Sequence, residues 1–227
     1  MKIKRLHEWE VCYTEAVGIQ KDLREKLVLE SARNFRVRKI AGADISYSRN
    51  DDLFFAAVVV LDAETLEVID RSFSSGRVSF PYIPGLLTFR EGPVLLEAFE
   101  KLKTRVDAVM FDGQGIAHPR RMGLASHMGL FLGVPTLGCA KKKLVGDFDE
   151  PGIQRGCYSE LLHKGENVGA ALRTKTGVKP VFVSPGHRMG LRSAIDLTLA
   201  CCSGYRIPEP TRQAHLLVNR LRVGYGR

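Results

Sequence analysis

Apolar residues between positions 37 and 79 come in short, strand-length runs separated by polar turns. From residue 93 onward, helical repeats of apolar positions alternate with short apolar runs. The first region reads as three strands, 37–47, 53–62 and 66–79. Their connections, 48–52 and 63–65, are too short for a crossover, so the strands pair as antiparallel hairpins or a meander. Ahead of them, residues 14–29 read as a helix, with Val17, Leu23 and Leu27 on one stripe and Thr14 as its N-cap. Then come an amphipathic helix at 93–103, an apolar strand at 108–111, a helix at 121–132 and a strand at 135–140. That β-α-β order implies parallel pairing through a helical crossover. Further strands are expected at 157–162, 168–173 and 180–184, and helices at 191–202 and 211–221, the last behind the stop signals Pro208 and Pro210. No repeat, linker or shift in composition divides the chain. The pattern predicts one α/β domain over residues 1–227, with a central mixed sheet of three antiparallel strands followed by parallel ones, flanked by helices.

Composition changes this picture in one respect, the charge. The 227 residues are 44% hydrophobic and 26% charged, as in an ordinary globular protein. Lys and Arg number 34 against 25 acids, a formal charge of +9, which favours a polyanionic partner such as nucleic acid. Five cysteines, Cys12, Cys139, Cys157, Cys201 and Cys202, are odd in number and lack C-x-x-C spacing. This argues against a zinc site or a secreted disulfide framework. The opening MKIKRLHEWE has no apolar signal-peptide core. The longest apolar run, residues 53–61, is too short to span a bilayer. A cytoplasmic protein with reduced thiols and no membrane partner is expected.

The segment 80–93, FPYIPGLLTFREGP, has Pro81 and Pro84 flanking Tyr82 and Ile83. The prolines stiffen a turn and hold two large apolar groups at its tip. Two readings stand side by side. Tyr82 and Ile83 fold back onto the core, or they project as a wedge that enters stacked bases, as apolar side chains do in DNA-kinking proteins.

Three acids stand near this tip or at strand ends. Asp44 sits among small and apolar residues in KIAGADISYS, Asp112 ends the strand AVMFDGQG, and Glu91 opens the helix after the tip. Buried carboxylates are costly unless paired or bound to a metal. If they converge, the three suit Mg2+ or Mn2+, which can polarise a phosphate and activate water. Taken singly, each has an ordinary role, in an Asx-turn, a cap or a helix first turn.

Lys141, Lys142 and Lys143 follow the strand at 135–140. Two of them are expected to be solvated and one to point inward. The loop Gly113-Gln114-Gly115-Ile116-Ala117-His118-Pro119 lacks the endings of a P-loop or a dinucleotide fingerprint. Its glycines permit positive φ and close approach of a planar ligand. His118 reads as a loop histidine, His127 as core, and His187 as a loop residue near the same face. His215 faces either solvent or the acids. His7 and His163 carry no signal.

The order of three antiparallel strands, helix, strand, helix and further strand is that of the ribonuclease H-like fold. The stretches AGADISY, FPYIPGLLTFREGP, FDGQGIAHPRRMGLASHMGL, PTLGCAKKKLVG, VFVSPGH and RIPEPTRQAH closely resemble endonuclease V, the deoxyinosine 3′ endonuclease family of DNA repair. They run in family order and cover nearly the whole chain. The resemblance implies a Mg2+-dependent endonuclease, with Mn2+ as a substitute ion, and a monomer is expected. Such an enzyme hydrolyses the second phosphodiester bond 3′ to inosine and leaves a 3′-hydroxyl and a 5′-phosphate. It also implies that Asp44 and Asp112 bind the metal directly and Glu91 through water. Lys141 would contact phosphate, and His215 would stand at the edge of the site. Pro81, Tyr82, Ile83 and Pro84 would form a strand-separating wedge. Hypoxanthine would sit near Gly85, Leu87, Gly113 and His118. A flipped damaged base is selected partly by its low unstacking cost. Three alternatives remain at this level: a structure-specific nuclease of the same fold, an inosine-specific endoribonuclease, and a catalytically silent nucleic-acid binder.

Overall fold

The computed structural model describes residues 3–48 and 52–225. Positions 49–51 of the first expected hairpin connection, and the first two residues of the opening segment, lie outside the described residues. Strands β1 (Lys39–Tyr47), β2 (Leu53–Asp62), β3 (Val68–Arg77), β4 (Ala108–Phe111), β5 (Thr136–Ala140), β6 (Tyr158–His163), β7 (Glu166–Leu172) and β8 (Val181–Pro185) form an eight-stranded sheet. Its order is β3-β2-β1-β4-β5-β8-β7-β6. The first three strands pair antiparallel, β1-β4-β5 are parallel, and β5-β8-β7-β6 return to antiparallel pairing.

Both faces of the sheet are covered at its inner strands, which explains why β2 reads LFFAAVVVLD with no polar alternation. On one face Phe54, Ala56, Val58 and Val60 join a core with α2 (Leu87–Glu100) and α3 (Leu124–Leu132). On the other face, Ile40, Val59, Leu137 and Val183 pack with α4 (Leu191–Ala200) and α5 (Glu209–Tyr225).

Several helix boundaries differ from the sequence expectation. α1 (Tyr13–Arg24) is capped by Cys12, whose amide donates to the Glu15 carboxylate at 2.8 Å, so Thr14 lies inside the helix. It stops five residues early because the Val28 carbonyl accepts from the Arg188 amide. α2 begins at Leu87, six residues before the expected Pro93, which lies inside the helix. Glu91 therefore sits in the second turn and does not open the helix. α3 begins at Leu124, since Arg121 holds φ +60. α5 starts at Glu209, with Pro210 inside its first turn, where no intrahelical N–H is required.

Candidate active site

The site lies where β4 runs out. Strands β1, β4 and β5 are parallel, so their carboxyl ends meet at one edge. Asp112 follows the last residue of β4, and Lys141 the last residue of β5. Asp44 follows Ala43, which is in register with Phe111 at the end of β4. Beyond that point β1 continues against β2 alone, and a crevice opens beside Asp44. Crevices outside the carboxyl ends of parallel strands are recurrent ligand sites.

The side chains of Asp44 and Asp112 are 10% and 16% exposed. Asp44 Oδ1 accepts from the Ile45 amide at 2.8 Å, and its Oδ2 accepts from His215 Nδ1 at 2.7 Å. Asp112 Oδ2 accepts from Lys141 Nζ at 2.5 Å. One ligand atom from each of Asp44, Asp112 and His215 lies within 4.8 Å of the others. Glu91 arrives from α2 and lines the same cavity of about 280 Å³, together with Leu87, Leu95 and Leu124.

His215 reaches the acids because α5 lies directly on β1. A Cβ placed on Gly42 would stand 1.9 Å from the Pro210 carbonyl oxygen, so only glycine permits this approach. Asn219 Nδ2 donates to His215 Nε2 at 3.1 Å, which leaves Nδ1–H as the donor to Asp44. Asn219 escapes the sequence reading. Its signal is the spacing H-x-x-x-N, which puts both side chains on one helix face.

Crowding sets the electrostatics. Burial, followed by the charge of Asp112, pushes Asp44 up to about 6, against the opposing hydrogen bond from His215. Burial and then the charges of Asp44 and Asp112 push Glu91 up to about 8. Three acids and an imidazole at one crevice fit a divalent cation, which would relieve this repulsion.

The proline tip divides between its two readings. Phe80 is buried and stacks on Phe89 with ring centroids 5.6 Å apart, and Ile83 packs half-buried on the same cluster. Tyr82 stands out, 70% exposed. Next to it, Tyr82, Ile83, Pro84, Gly85, Leu87, Gly113 and His118 line a largely apolar cavity of about 300 Å³. Leu87 and Leu124 line both cavities, so the acids and the tip border adjoining spaces.

Several details correct or resolve the sequence reading. Gly113 and Gly115 do not adopt positive φ, and Gly115 is required because the Pro185 backbone lies against it. Both ring nitrogens of His118 are engaged within the protein. Nε2–H donates to the Gly85 carbonyl at 3.0 Å, and Nδ1 accepts from the Arg120 and Met122 amides. Burial, and then the charge of Arg120, lowers its pKa to about 4, so the ring stays neutral. Among the three lysines, Lys141 turns inward, Lys143 binds the Gly146 carbonyl at 2.7 Å, and Lys142 is exposed. His187 is not near this face. Its carbonyl accepts from the Thr136 amide at the opposite end of β5. His127 is core, as expected, but His7 is its partner across 2.7 Å between Nε2 atoms. His163 receives the Arg121 guanidinium at 2.7 Å.

A family model for endonuclease V matches residues 21–216, a span that holds all three acids, Lys141 and His215. The chain belongs to the endonuclease V family. An endonuclease V from Methanothrix thermoacetophila is 53% identical over 217 residues, covering 96% of this chain and 95% of that protein. The crystal structure of endonuclease V from Streptomyces avermitilis superimposes with a TM-score of 0.92 at 44% identity, covering 96% of each chain. Endonuclease V from Ciona intestinalis, in complex with a 24mer DNA containing an inosine followed by a ribo-adenosine, aligns with a TM-score of 0.82 at 27% identity. That match covers 93% of this chain and 98% of the Ciona chain. The endonuclease V fold is the ribonuclease H-like arrangement of a mixed sheet flanked by helices, as expected from the order of elements.

Proposed function

We propose that the chain is a Mg2+-dependent repair endonuclease acting on inosine-containing DNA, with Mn2+ able to replace Mg2+. It cuts the second phosphodiester bond 3′ to the lesion and leaves a 3′-hydroxyl and a 5′-phosphate. The observation that carries this reading is the convergence of Asp44, Asp112 and Glu91 on a crevice adjoining the cavity beneath Tyr82.

Asp44 and Asp112 would hold the metal, with His215 at its edge. When bound, the ion would supply phosphate polarisation and activation of water. The chain's own groups do the rest. His215 fixes the orientation of Asp44 through Nδ1–H. Lys141 brings a positive charge to the scissile phosphate, held in place by Asp112. Glu91, which lines the crevice with Asp44 and Asp112, is placed to orient the attacking water. Tyr82 and the prolines of the tip fill the gap left by the displaced base. Gly85, Leu87, Gly113 and His118 frame the base in the apolar cavity.

The acids, tip and cavity all come from one chain, which supports action as a monomer and as a single functional unit. Five unpaired cysteines suit the reducing cytoplasm. Among the described residues, no helix is long and apolar enough to cross a membrane. The Ciona complex supports DNA as the substrate.

The deciding assay compares matched duplexes with and without inosine, and an inosine-containing RNA, in the presence of Mg2+. Inosine-dependent cutting of DNA is expected. Equal cutting of the undamaged duplex would indicate a structure-specific nuclease, and preferential cutting of RNA an endoribonuclease.

A further inference from the structure

Gln20 is fully buried in the stripe of α1 that also buries Ala16 and Leu23, where an apolar residue would ordinarily stand. A buried amide is costly unless its hydrogen bonds are satisfied. Here they are spent on two segments, the tip and the loop after Asp112, each of which contributes residues to the lining of one cavity. Gln20 Nε2 donates to the Gly85 carbonyl at 3.0 Å and to the Met122 carbonyl at 3.3 Å. Gln20 Oε1 accepts from Arg120 Nε at 2.5 Å.

The Gly85 carbonyl receives two more donors, Arg120 Nη2 at 2.7 Å and His118 Nε2 at 3.0 Å. Gly85 directly follows Pro84 and holds φ +80, so it forms the turn at the base of the tip that carries the exposed Tyr82. His118, Arg120 and Met122 belong to the loop after Asp112. A Cβ on Gly85 would lie 2.7 Å from Arg120 Nη2, so the two segments already meet as closely as the backbone allows. Gln20 does not itself line the cavity.

We infer that Gln20 is a specificity-determining positioning residue, which locks the base of the tip to the loop after Asp112 and so sets the width of the base cavity. This rests on the proposed recognition of inosine and names the residue that makes that recognition selective. A rigid gap accepts a flat purine of one hydrogen-bonding pattern. A loosened gap loses both the fit of the base and the angle at which Tyr82 enters the stack. Misplacement of about 1 Å is enough for large kinetic effects. The position also precedes the segment of residues 21–216 matched by the family model.

Two variants separate the contacts. Gln20→Met keeps the volume and removes every hydrogen bond. Gln20→Glu keeps an acceptor for Arg120 but turns a carboxylate oxygen toward the Gly85 and Met122 carbonyls. Each is compared with the unaltered protein for KM, saturated single-turnover rate and the inosine-to-undamaged cleavage ratio. Fluorescence of 2-aminopurine beside the lesion reports base displacement. Both variants are expected to raise KM for the inosine duplex about tenfold and to lower the ratio by a similar factor, with a smaller change in the saturated rate. The aminopurine signal should fall in parallel. An unchanged ratio and KM in a folded variant would overturn the inference, as would a loss confined to the saturated rate on every substrate. If Gln20→Met does not fold, Arg120→Lys, which cannot serve Gln20 and Gly85 together, carries the same expectation. Equal cutting of both duplexes by the unaltered protein would overturn the underlying reading itself. Normal discrimination by that protein alongside unchanged variants would overturn only the role of Gln20.

Discussion

Lys141 Nζ lies 2.5 Å from Asp112 Oδ2, joining the carboxyl ends of two neighbouring parallel strands. The pair holds a cation beside Asp44 and Glu91 at the crevice, in a position partly shielded from solvent. Lys141→Met should reduce the single-turnover cleavage rate about 10²- to 10³-fold, the usual cost of losing one charge-stabilising donor. Affinity for inosine-containing DNA, read by gel shift in Ca2+, should change far less. A weakened affinity with an undiminished saturated rate would place Lys141 in substrate binding only.

The acids make the metal-free protein sensitive to pH. Asp44 and Glu91 are raised to about 6 and about 8, so between about pH 4 and 8 the folded state holds more protons than the unfolded one. Their contribution is then fully present at low pH and is lost as pH rises through those values. In chelator, the melting temperature of Glu91→Gln should exceed that of the unaltered protein by a few degrees at pH 8.5, and the difference should vanish near pH 4. Metal should raise the melting temperature of the unaltered protein more at pH 8.5 than at pH 5.5, because ligands must lose protons to bind it. Calorimetric scans across this range with and without Mg2+ provide the check.

Tyr82 is 70% exposed and contributes little to the fold. Tyr82→Ala should leave the melting temperature within about a degree, since exposed substitutions rarely matter to stability. It should slow cleavage of inosine in a paired duplex about tenfold more than in a single strand, where no stacked gap must be filled. Equal slowing on both substrates would contradict a wedge role.

Gly42 is the contact that seats α5 on β1, with the Pro210 carbonyl oxygen 1.9 Å from where a Cβ would stand. Gly42→Ala should destabilise the protein by about 3 kcal/mol or more, as overpacking against backbone does. Because His215 rides on the same helix, Mg2+ affinity should fall as well. Denaturant titration and metal titration of the same variant test both effects.

Local patterning determined most of the fold. The alternating and continuous apolar runs of residues 37–79 and the β-α-β order after residue 93 follow from the side-chain periods of a sheet whose inner strands are buried on both faces and whose edge strand β3 is buried on one. Charge and the spacing of acids at strand ends pointed to a metal-dependent chemistry on nucleic acid. What tertiary structure decided was mostly where helices begin and which polar groups face each other. α1 ends early because the 187–188 turn captures Val28, and α2 starts early enough to place Glu91 in its second turn. No period in the chain reveals that Gln20 ties the tip to the loop, and the spacing of His215 and Asn219 does not show that their shared helix face meets Asp44. Which way Tyr82 and Ile83 point was also open. Ile83 found an apolar cluster to cover it and Tyr82 did not. A sequence specifies what each residue prefers to touch over a few neighbours, while contacts between segments tens of residues apart are settled only once the sheet has brought them together.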